Sequence, residues 1–277
     1  MKTLTIEILR KVIQPRPENS HKGTFGRALL IGGNEQFGGA ILMAAKACVY
    51  SGAGLTTVIT HEKNHAPLHT LLPEAMVIDN SNEKKMIEAI QQAEVLLIGS
   101  GLGKEEKSLK LLQLVLSTIQ KNQFLIIDGD AITLIAEHHL LIPYPWQTIY
   151  TPHEMEWQRL SGLPIAEQTV EASLEKAKEI GSLIVQKSHR TKIYTCFGDV
   201  YELPIGTPAM ATGGMGDTLA GMITGFLTQF RQNPIKSVCA AAYLHSYIAE
   251  ELALTQYVVL PTQISERIPT TMKKFSE

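Results

Sequence analysis

The sequence predicts an α/β fold in which helices cover both faces of a central, mostly parallel sheet. Short apolar runs recur along the 277 residues, and most of them end in glycine or aspartate. Segments with apolar residues at helical spacing lie between most of these runs. The composition is that of an ordinary globular protein, with 44% hydrophobic and 19% charged residues. Because buried parallel strands are continuously apolar and need helical crossovers, this alternation predicts a parallel sheet.

The predicted elements follow one another in a regular order. The predicted strands are RALLIGG (27–33), LTTVIT (55–60), AMVID (75–79), VLLIGSG (95–101), FLIIDGD (124–130) and SLIVQKS (182–188). The predicted crossover helices are GAILMAAKACVYSGAG (39–54), EKKMIEAIQQA (83–93), KSLKLLQLVLSTIQ (107–120) and VEASLEKAKEIG (170–181).

The pattern changes after Lys187. TKIYTCF and VYELPIG flank Gly198-Asp199, which predicts a late β-hairpin. Two helices are predicted to follow, over 216–230 and 235–254. Since the chain contains no linker rich in Gly, Ser or Pro and no internal repeat, we expect residues 1–277 to form a single domain.

Composition excludes several classes of protein. The formal net charge of -2 and the lack of a Lys/Arg block argue against nucleic-acid binding. Cys48, Cys196 and Cys239 lie far apart without a CxxC pair, which argues against a zinc site or a disulfide scaffold. The N-terminus lacks the features of a signal peptide, and no segment approaches the roughly 20 apolar residues of a membrane helix. We therefore expect a cytoplasmic protein without a membrane partner.

The loops that follow the predicted strands are candidates for ligand binding, because ligands of parallel sheets bind beyond the carboxyl ends of the strands. Two of these loops, LLIGGNEQFGGA and LLIGSGLGKEE, are rich in glycine, although one such loop alone is compatible with a tight turn. DGDAI adds Asp128 and Asp130, of which Asp130 alone suits a helix cap. Neither GxGxxG nor GxxxxGK[ST] is present, which disfavours a Rossmann dehydrogenase or a P-loop enzyme.

The segment TGGMGDTLAG (212–221) predicts an anion-binding helix start. Free N–H groups there attract phosphate oxygens, so Gly213 to Gly216 are interpreted as an anion hole. Asp217 suits either a helix cap or a general base. A carboxylate beside phosphate is repelled unless a cation or a transferable proton accompanies the ligand, which favours a base facing the hydroxyl in phosphoryl transfer.

Three further patterns have both a functional and a plain structural interpretation. KSHRT brings Lys187, His189 and Arg190 to a strand end, where they suit phosphate binding or a solvated basic loop. In TPHEMEW, spacing alone favours a surface role for His153. Gly221 and Gly225, spaced four apart, predict close helix packing rather than ligand contact.

Several segments together resemble one family. The glycine-rich stretch 23–58, GSGLG, DGDAI, TPHEMEWQRLSG, KSHRT and TGGMGDTLAGMITG are similar, in this order, to ADP-dependent NAD(P)H-hydrate dehydratases, a branch of the ribokinase-like superfamily. The resemblance implies a three-layer α/β/α sandwich with a late β-hairpin. It also implies a lyase that repairs hydrated NADH and NADPH. The ring hydroxyl would be phosphorylated at the expense of ADP, and phosphate would then leave.

The resemblance also implies the site residues and cofactors. Asp217 matches the catalytic aspartate and, with Ala40, Gly103 and His153, the positions that contact the substrate. Mg²⁺ is implied, with Glu156 as a candidate to hold it through water. ADP is the implied co-substrate, with ATP as an option, and the implied assembly is a homotetramer. The implied nucleotide-binding positions are Lys187, Ser188, His189, Arg190, Thr191, Gly214 and Gly216.

Two other functions remain open at this point. One is a ribokinase-like kinase that phosphorylates the hydroxymethyl group of a vitamin precursor; such kinases more often carry asparagine in place of His153. The other is a nucleotide-sensing or scaffolding protein that keeps the pocket without catalysis. Asp217 argues against the second, because a pure binder gains nothing from a carboxylate beside phosphate.

Overall fold

The computed structural model describes residues 1–276, in which ten strands and eleven α-helices are present. The strands are β1 (Lys2–Thr3), β2 (Arg27–Ile31), β3 (Leu55–Thr60), β4 (Met76–Asp79), β5 (Val95–Ile98), β6 (Phe124–Ile127), β7 (Thr148–Tyr150), β8 (Leu183–Gln186), β9 (Lys192–Tyr194) and β10 (Val200–Glu202). The helices are α1 (Glu7–Val12), α2 (Gly38–Tyr50), α3 (His65–Leu71), α4 (Glu83–Gln92), α5 (Glu106–Thr118), α6 (Gly129–His138), α7 (Glu154–Ser161), α8 (Val170–Ile180), α9 (Met215–Gln229), α10 (Pro234–Ala253) and α11 (Pro261–Phe275).

All ten strands form one sheet, in the order β1-β10-β9-β8-β7-β6-β5-β2-β3-β4. Only β9 runs against its neighbours, and every other pairing is parallel. Val200 of β10 pairs with Tyr194 of β9, so the predicted late hairpin is confirmed. The chain proceeds outward from β2 to β4 and then returns to place β5 on the other side of β2. A topological switch point, where ligands of such sheets bind, therefore lies between β2 and β5.

Side chains alternate between two cores, one on each face of the sheet. Leu30 and Leu97 point into the core formed with α1, α2, α9, α10 and α11. Leu29 and Leu96 point into the core formed with α4 to α8. All four leucines are at most 1% exposed, as expected of strands that are covered on both faces. The three-layer α/β/α prediction is confirmed.

The helices α2 and α9 pack closely because α9 presents glycines at the contact. A Cβ atom on Gly221 would lie 2.1 Å from the carbonyl oxygen of Ala44, and one on Gly225 would lie 2.6 Å from that of Cys48. The structure thus agrees with the packing interpretation of these two glycines. As a result, the amino-terminal ends of α2 and α9 are held together at the carboxyl edge of the sheet.

Several elements were not expected from the sequence. The strand β7 has three residues, all buried, and is too short to show a periodic pattern. The helix α11 contains Pro269 in its interior, and proline usually argues against a helix. The helices α1 and α3, with six and seven residues, are short for the periodicity test. Within residues 1–276, no helix is both long and apolar enough to span a membrane.

Candidate active site

The loops that follow β2, β5, β6, β7 and β8 meet the first turn of α9 at one edge of the sheet. The backbone N–H of Gly33 donates to the carbonyl of Ser100 over 2.9 Å, which joins the loops after β2 and β5. The backbone N–H of Lys187 donates to the carbonyl of Pro152 over 2.8 Å, which joins the loops after β7 and β8. These bonds bring together loops that are distant in the sequence.

A buried ion pair lies at the centre of this cluster. The Lys187 Nζ lies 3.0 Å from Asp128 Oδ1 and 3.8 Å from Glu156 Oε2. Thr151 Oγ1 also donates to Asp128 Oδ1 over 2.6 Å. Burial lowers the pKa of Lys187, but the neighbouring carboxylates Asp128 and Glu156 outweigh this effect and raise it overall. Lys187 therefore remains a cation, although its side chain is only 20% exposed.

Asp217 lies in the first turn of α9, directly after the glycines of the predicted anion hole. The helix follows Gly214, which has a φ of 94°, and no side chain caps it. A Cβ atom on Gly216 would lie 3.1 Å from Lys187 Nζ, so the ammonium is next to the backbone at this helix start. The first-turn N–H groups and the Lys187 ammonium together make this point electropositive.

The environment of Asp217 makes it a stronger base than a solvent-exposed aspartate. Burial raises the pKa of Asp217 to about 6, and the negative charge of Asp128 acts in the same direction. The Ser100 hydroxyl and the Lys187 ammonium partly offset this rise. At neutral pH the carboxylate is still mostly ionised and is able to accept a proton.

His153 caps α7 and exchanges hydrogen bonds with Glu156. The His153 Nδ1 accepts from the backbone N–H groups of Met155 and Glu156, at 3.1 and 3.3 Å. In return, Glu156 Oε2 accepts from the backbone N–H of His153 over 2.8 Å. Burial and then the Lys187 charge lower the pKa of His153, so the imidazole is neutral at neutral pH. The side chain of His153 is 52% exposed, in agreement with the surface position that its spacing predicts. Spacing did not predict that this side chain also caps the start of α7.

Glu156 is the carboxylate that the family resemblance implies as a candidate to hold Mg²⁺ through water. It is buried, and burial raises its pKa, while Lys187 opposes the rise. No group of three or more His, Cys, Asp or Glu side chains within residues 1–276 is arranged to hold a metal ion by itself. Mg²⁺ typically takes one or two carboxylates and completes its shell with waters and substrate phosphates. Glu156, next to Lys187, fits that mode of binding.

The loop 187–191 connects β8 to β9. Ser188 Oγ donates to the carbonyl of Arg190 over 2.8 Å, which holds the loop in a tight turn. Arg190 Nη1 is buried without a hydrogen-bond partner in the protein. Thr191 accepts at its carbonyl from the backbone N–H of Leu203 over 3.0 Å. The loop therefore offers an unsatisfied guanidinium donor on Arg190, three positions after Lys187.

Ala40 and Gly103 lie on the other side of the cluster, near the switch point. A Cβ atom on Gly101 would lie 2.9 Å from that of Ala40, so Ala40 packs against the loop after β5. The backbone N–H of Gly103 donates to Asp130 Oδ2 over 2.8 Å, and Gly103 has a φ of 83°. Asp130 therefore holds the loop after β5, in addition to its position in the first turn of α6.

A groove of about 1060 Å³ begins beside Gly103 and runs along the carboxyl ends of β2, β3 and β4. Its walls include Asn34, Leu102 and Glu105 near Gly103, and Asp79 at the far end. Asp217, Lys187 and His153 are not among its lining residues. The groove thus adjoins the cluster of charged groups but does not contain it.

Sequence reasoning missed the most connected side chain of the site. Asp128 was noted as a carboxylate after a strand and given no role, and neither Ser100 nor Thr151 was singled out. The local signal for Asp128 is a carboxylate placed immediately after the fully apolar run FLII. Its partner Lys187 lies 59 positions away, which no local pattern reveals.

Comparison with known proteins places this geometry in context. The family of NAD(P)H-hydrate dehydratases matches residues 28–270. An Enterococcus faecalis V583 protein named ADP-dependent (S)-NAD(P)H-hydrate dehydratase is 51% identical over 277 residues, covering 100% of this chain and 94% of its own length. A crystal structure of a ribokinase-like superfamily protein from the same organism has a TM-score of 0.97 and 51% identity, covering 99% and 96% of the two chains. A Bacillus subtilis ADP/ATP-dependent NAD(P)H-hydrate dehydratase, co-crystallised with ATP/Mg²⁺, has a TM-score of 0.88 and 31% identity, covering 99% and 98%.

Proposed function

The chain belongs to the NAD(P)H-hydrate dehydratase family, and from this premise we propose that it restores NADH and NADPH from their hydrated forms with ADP as co-substrate. ADP donates a phosphoryl group to the hydroxyl of the hydrated nicotinamide ring and leaves as AMP. Phosphate, a far better leaving group than hydroxide, then departs with the electrons of the carbon–oxygen bond while the adjacent ring carbon loses a proton, and the new carbon–carbon double bond restores the reduced ring. The observation that carries this proposal is the Asp217 carboxylate beside the Lys187 ammonium at an uncapped helix start.

Asp217 is the proposed general base. Its pKa of about 6 leaves it ionised at neutral pH and basic enough to take the hydroxyl proton as the phosphorus–oxygen bond forms. Deprotonation by a fixed carboxylate is the recurring device of phosphoryl transfer to an alcohol. The same carboxyl group, once protonated, is placed to return the proton to the departing phosphate.

The nucleotide is proposed to bind along loop 187–191 and the first turn of α9. The Lys187 ammonium and the amides following Gly214 and Gly216 would stabilise the negative charge that is transferred. The buried, unpaired Nη1 of Arg190 is a further donor for a phosphate oxygen. Ser188, His189 and Thr191 complete the proposed nucleotide contacts. Glu156 would hold Mg²⁺ through water, and the cation would neutralise negative charge on the phosphates.

The hydrated dinucleotide is proposed to lie between α2 and the loop after β5, with its ring directed at Asp217. Ala40 offers only a methyl group at the start of α2, so the substrate can approach the backbone there. Gly103 is buried beside Asn34 and Glu105, which line the adjoining groove, so the substrate is proposed to reach this position along those two side chains. The neutral His153 presents an exposed imidazole edge while its Nδ1 is occupied by the helix cap. Its Nε2, which lies 3.3 Å from Glu156 Oε1, is the nitrogen proposed to face the substrate.

We extend the proposal to the assembly and setting of the protein. The whole chain is proposed to act as one ribokinase-like catalytic domain, within a homotetramer in the cytoplasm. A ribokinase-like kinase acting on a hydroxymethyl group is the alternative. It has weaker support, because relatives about half identical over the full chain carry the dehydratase name.

The decisive experiment supplies purified protein with hydrated NADH, Mg²⁺ and ADP, ATP or no nucleotide. The return of the dihydronicotinamide absorbance and the release of phosphate are followed together. We expect both signals in equal amounts with ADP and neither signal without nucleotide. Recovery without nucleotide, or none with either nucleotide, contradicts the proposal. A stable phosphorylated product that retains its phosphate would support the kinase instead.

A further inference from the structure

Asp128 is the most enclosed carboxylate of the site, and the side chains that contact its oxygens are donors from other strand ends. The residue is 2% exposed. Its Oδ1 accepts from Thr151 Oγ1 over 2.6 Å and from Lys187 Nζ over 3.0 Å. Its Oδ2 lies 3.4 Å from the Ser100 hydroxyl. Three strand-end loops are therefore joined through one side chain, which itself follows β6.

The position of Lys187 depends on Asp128. Lysine has a long, flexible stem, so a fixed ammonium needs a fixed partner. Asp128 is such a partner, because it is enclosed and is also held by Thr151. The ammonium that it holds lies next to Gly216, immediately before Asp217. Glu156, at 3.8 Å, is the weaker of the two contacts.

Asp128 also acts on Asp217 through its charge. A nearby negative charge disfavours ionisation of a carboxyl group, and a nearby positive charge favours it. Asp128 raises the pKa of Asp217, second only to burial, while Ser100 and Lys187 lower it. These are the charged and hydrogen-bonding side chains that face Asp217 from the loops after β5, β6 and β8. Glu156 and His153 lie beyond Lys187, on α7 and its cap.

We propose that Asp128 is a positioning residue of the reaction: it fixes the Lys187 ammonium against the start of α9, and its negative charge keeps Asp217 a competent base. This inference rests on the proposed function, and it adds a role for a residue that touches neither reactant. Asp128 and Lys187 therefore have opposite effects on the pKa of Asp217. Removing Asp128 lowers this pKa and weakens the base, whereas removing Lys187 raises it.

The test is the acidic limb of the kcat/KM profile for hydrated NADH, measured at saturating ADP and Mg²⁺ for wild type and variants. The acidic limb of kcat/KM reports the ionisation of the essential base in the free enzyme. Asp128→Asn preserves the shape of the side chain and removes its charge. We therefore expect the acidic limb of the kcat/KM profile to move to lower pH by about one pH unit. Glu137→Gln is the matched control, because it removes an exposed carboxylate of α6 that lies outside the site. In this control the limb stays where it is in wild type.

A second pair of variants covers the case in which Asp128→Asn leaves an unpaired buried lysine and does not fold. Lys187→Gln is compared with the double variant Lys187→Gln/Asp128→Asn, in which the ion pair is removed as a whole. We expect the limb of Lys187→Gln to lie at higher pH than in wild type, and the limb of the double variant to lie below that of Lys187→Gln.

The outcomes separate this inference from the function on which it rests. An inactive wild type overturns the proposed function. An active wild type whose limb is unmoved by Asp128→Asn, with circular dichroism and melting temperature retained, overturns the role of Asp128. Equal displacement in Glu137→Gln overturns it as well, because the effect would then be one of net charge alone. Shifts of the same sign in Asp128→Asn and Lys187→Gln also overturn it.

Discussion

Acidification is expected to destabilise the fold through one buried histidine. His245 lies inside α10, is 4% exposed, and its Nε2 has no hydrogen-bond partner in the protein. Burial lowers the pKa of His245 from 6.5 to about 4. One pKa unit corresponds to about 1.4 kcal/mol, so protonating His245 costs the folded state about 3 kcal/mol more than the unfolded state.

The direction of the pH dependence follows from the difference in proton binding between the unfolded and the folded chain. Between about pH 6.5 and pH 4 the unfolded chain carries a proton on His245 and the folded chain does not, so stability rises with pH over this window. Above pH 6.5 this histidine makes no pH-dependent contribution. Below pH 4 the full loss of about 3 kcal/mol has been incurred.

Urea unfolding of wild type and His245→Leu, at intervals from about pH 7.5 to pH 4.5, measures this contribution. Other groups titrate in the same range, but they are common to both proteins and largely cancel in the difference. We expect the variant to gain on wild type by about 1.4 kcal/mol per pH unit once the pH falls below 6.5. His69→Gln, at an exposed position in α3, is expected to follow wild type. Parallel loss of stability in wild type and His245→Leu would refute the reasoning.

Three further outcomes are expected. In Asp217→Asn, turnover falls by about a hundredfold or more, because the base is removed. The ADP dissociation constant, measured by calorimetry, changes little because the helix start remains. Equal loss of turnover and of ADP affinity would indicate that Asp217 is a structural cap. Gly221→Ala lowers the free energy of unfolding by about 1–3 kcal/mol because its Cβ meets the Ala44 carbonyl, whereas Gly39→Ala, with open space around it, does not. Chelation of Mg²⁺ stops turnover, and Glu156→Gln raises the Mg²⁺ concentration that restores half of it; an unchanged Mg²⁺ requirement would remove Glu156 from the metal site.

The strands of the sheet were predictable where burial on both faces makes several consecutive residues apolar. The strands β2, β5 and β6 are apolar runs followed by glycine or aspartate. Each of them, like β3, was expected within a few residues of its observed bounds. The strand β7 escaped because three residues cannot establish a pattern, although all three are buried. The helix α11 escaped because a proline inside a helix removes one hydrogen bond, a loss that packing against α2 and α10 tolerates here.

The site was predictable to the extent that function depends on local chemistry. Glycines before Asp217 signal a helix start that accepts anions, wherever that helix lies. The pairing of Asp128 with Lys187 depends instead on β6, β7 and β8 being neighbours in the sheet, which is a property of topology. The unpaired Nε2 of His245 was equally inaccessible, since α10 gives no sign in its sequence of what surrounds each position.

The parallel pairing of β1 with β10 bears on how the chain is made. Lys2 lies opposite Tyr201, so it is translated about two hundred residues before its partner. Contacts of such long separation close late, because a large loop must be ordered before they form. The outer edge of β10 therefore stays open to other strands after the hairpin has formed, until β1 pairs with it.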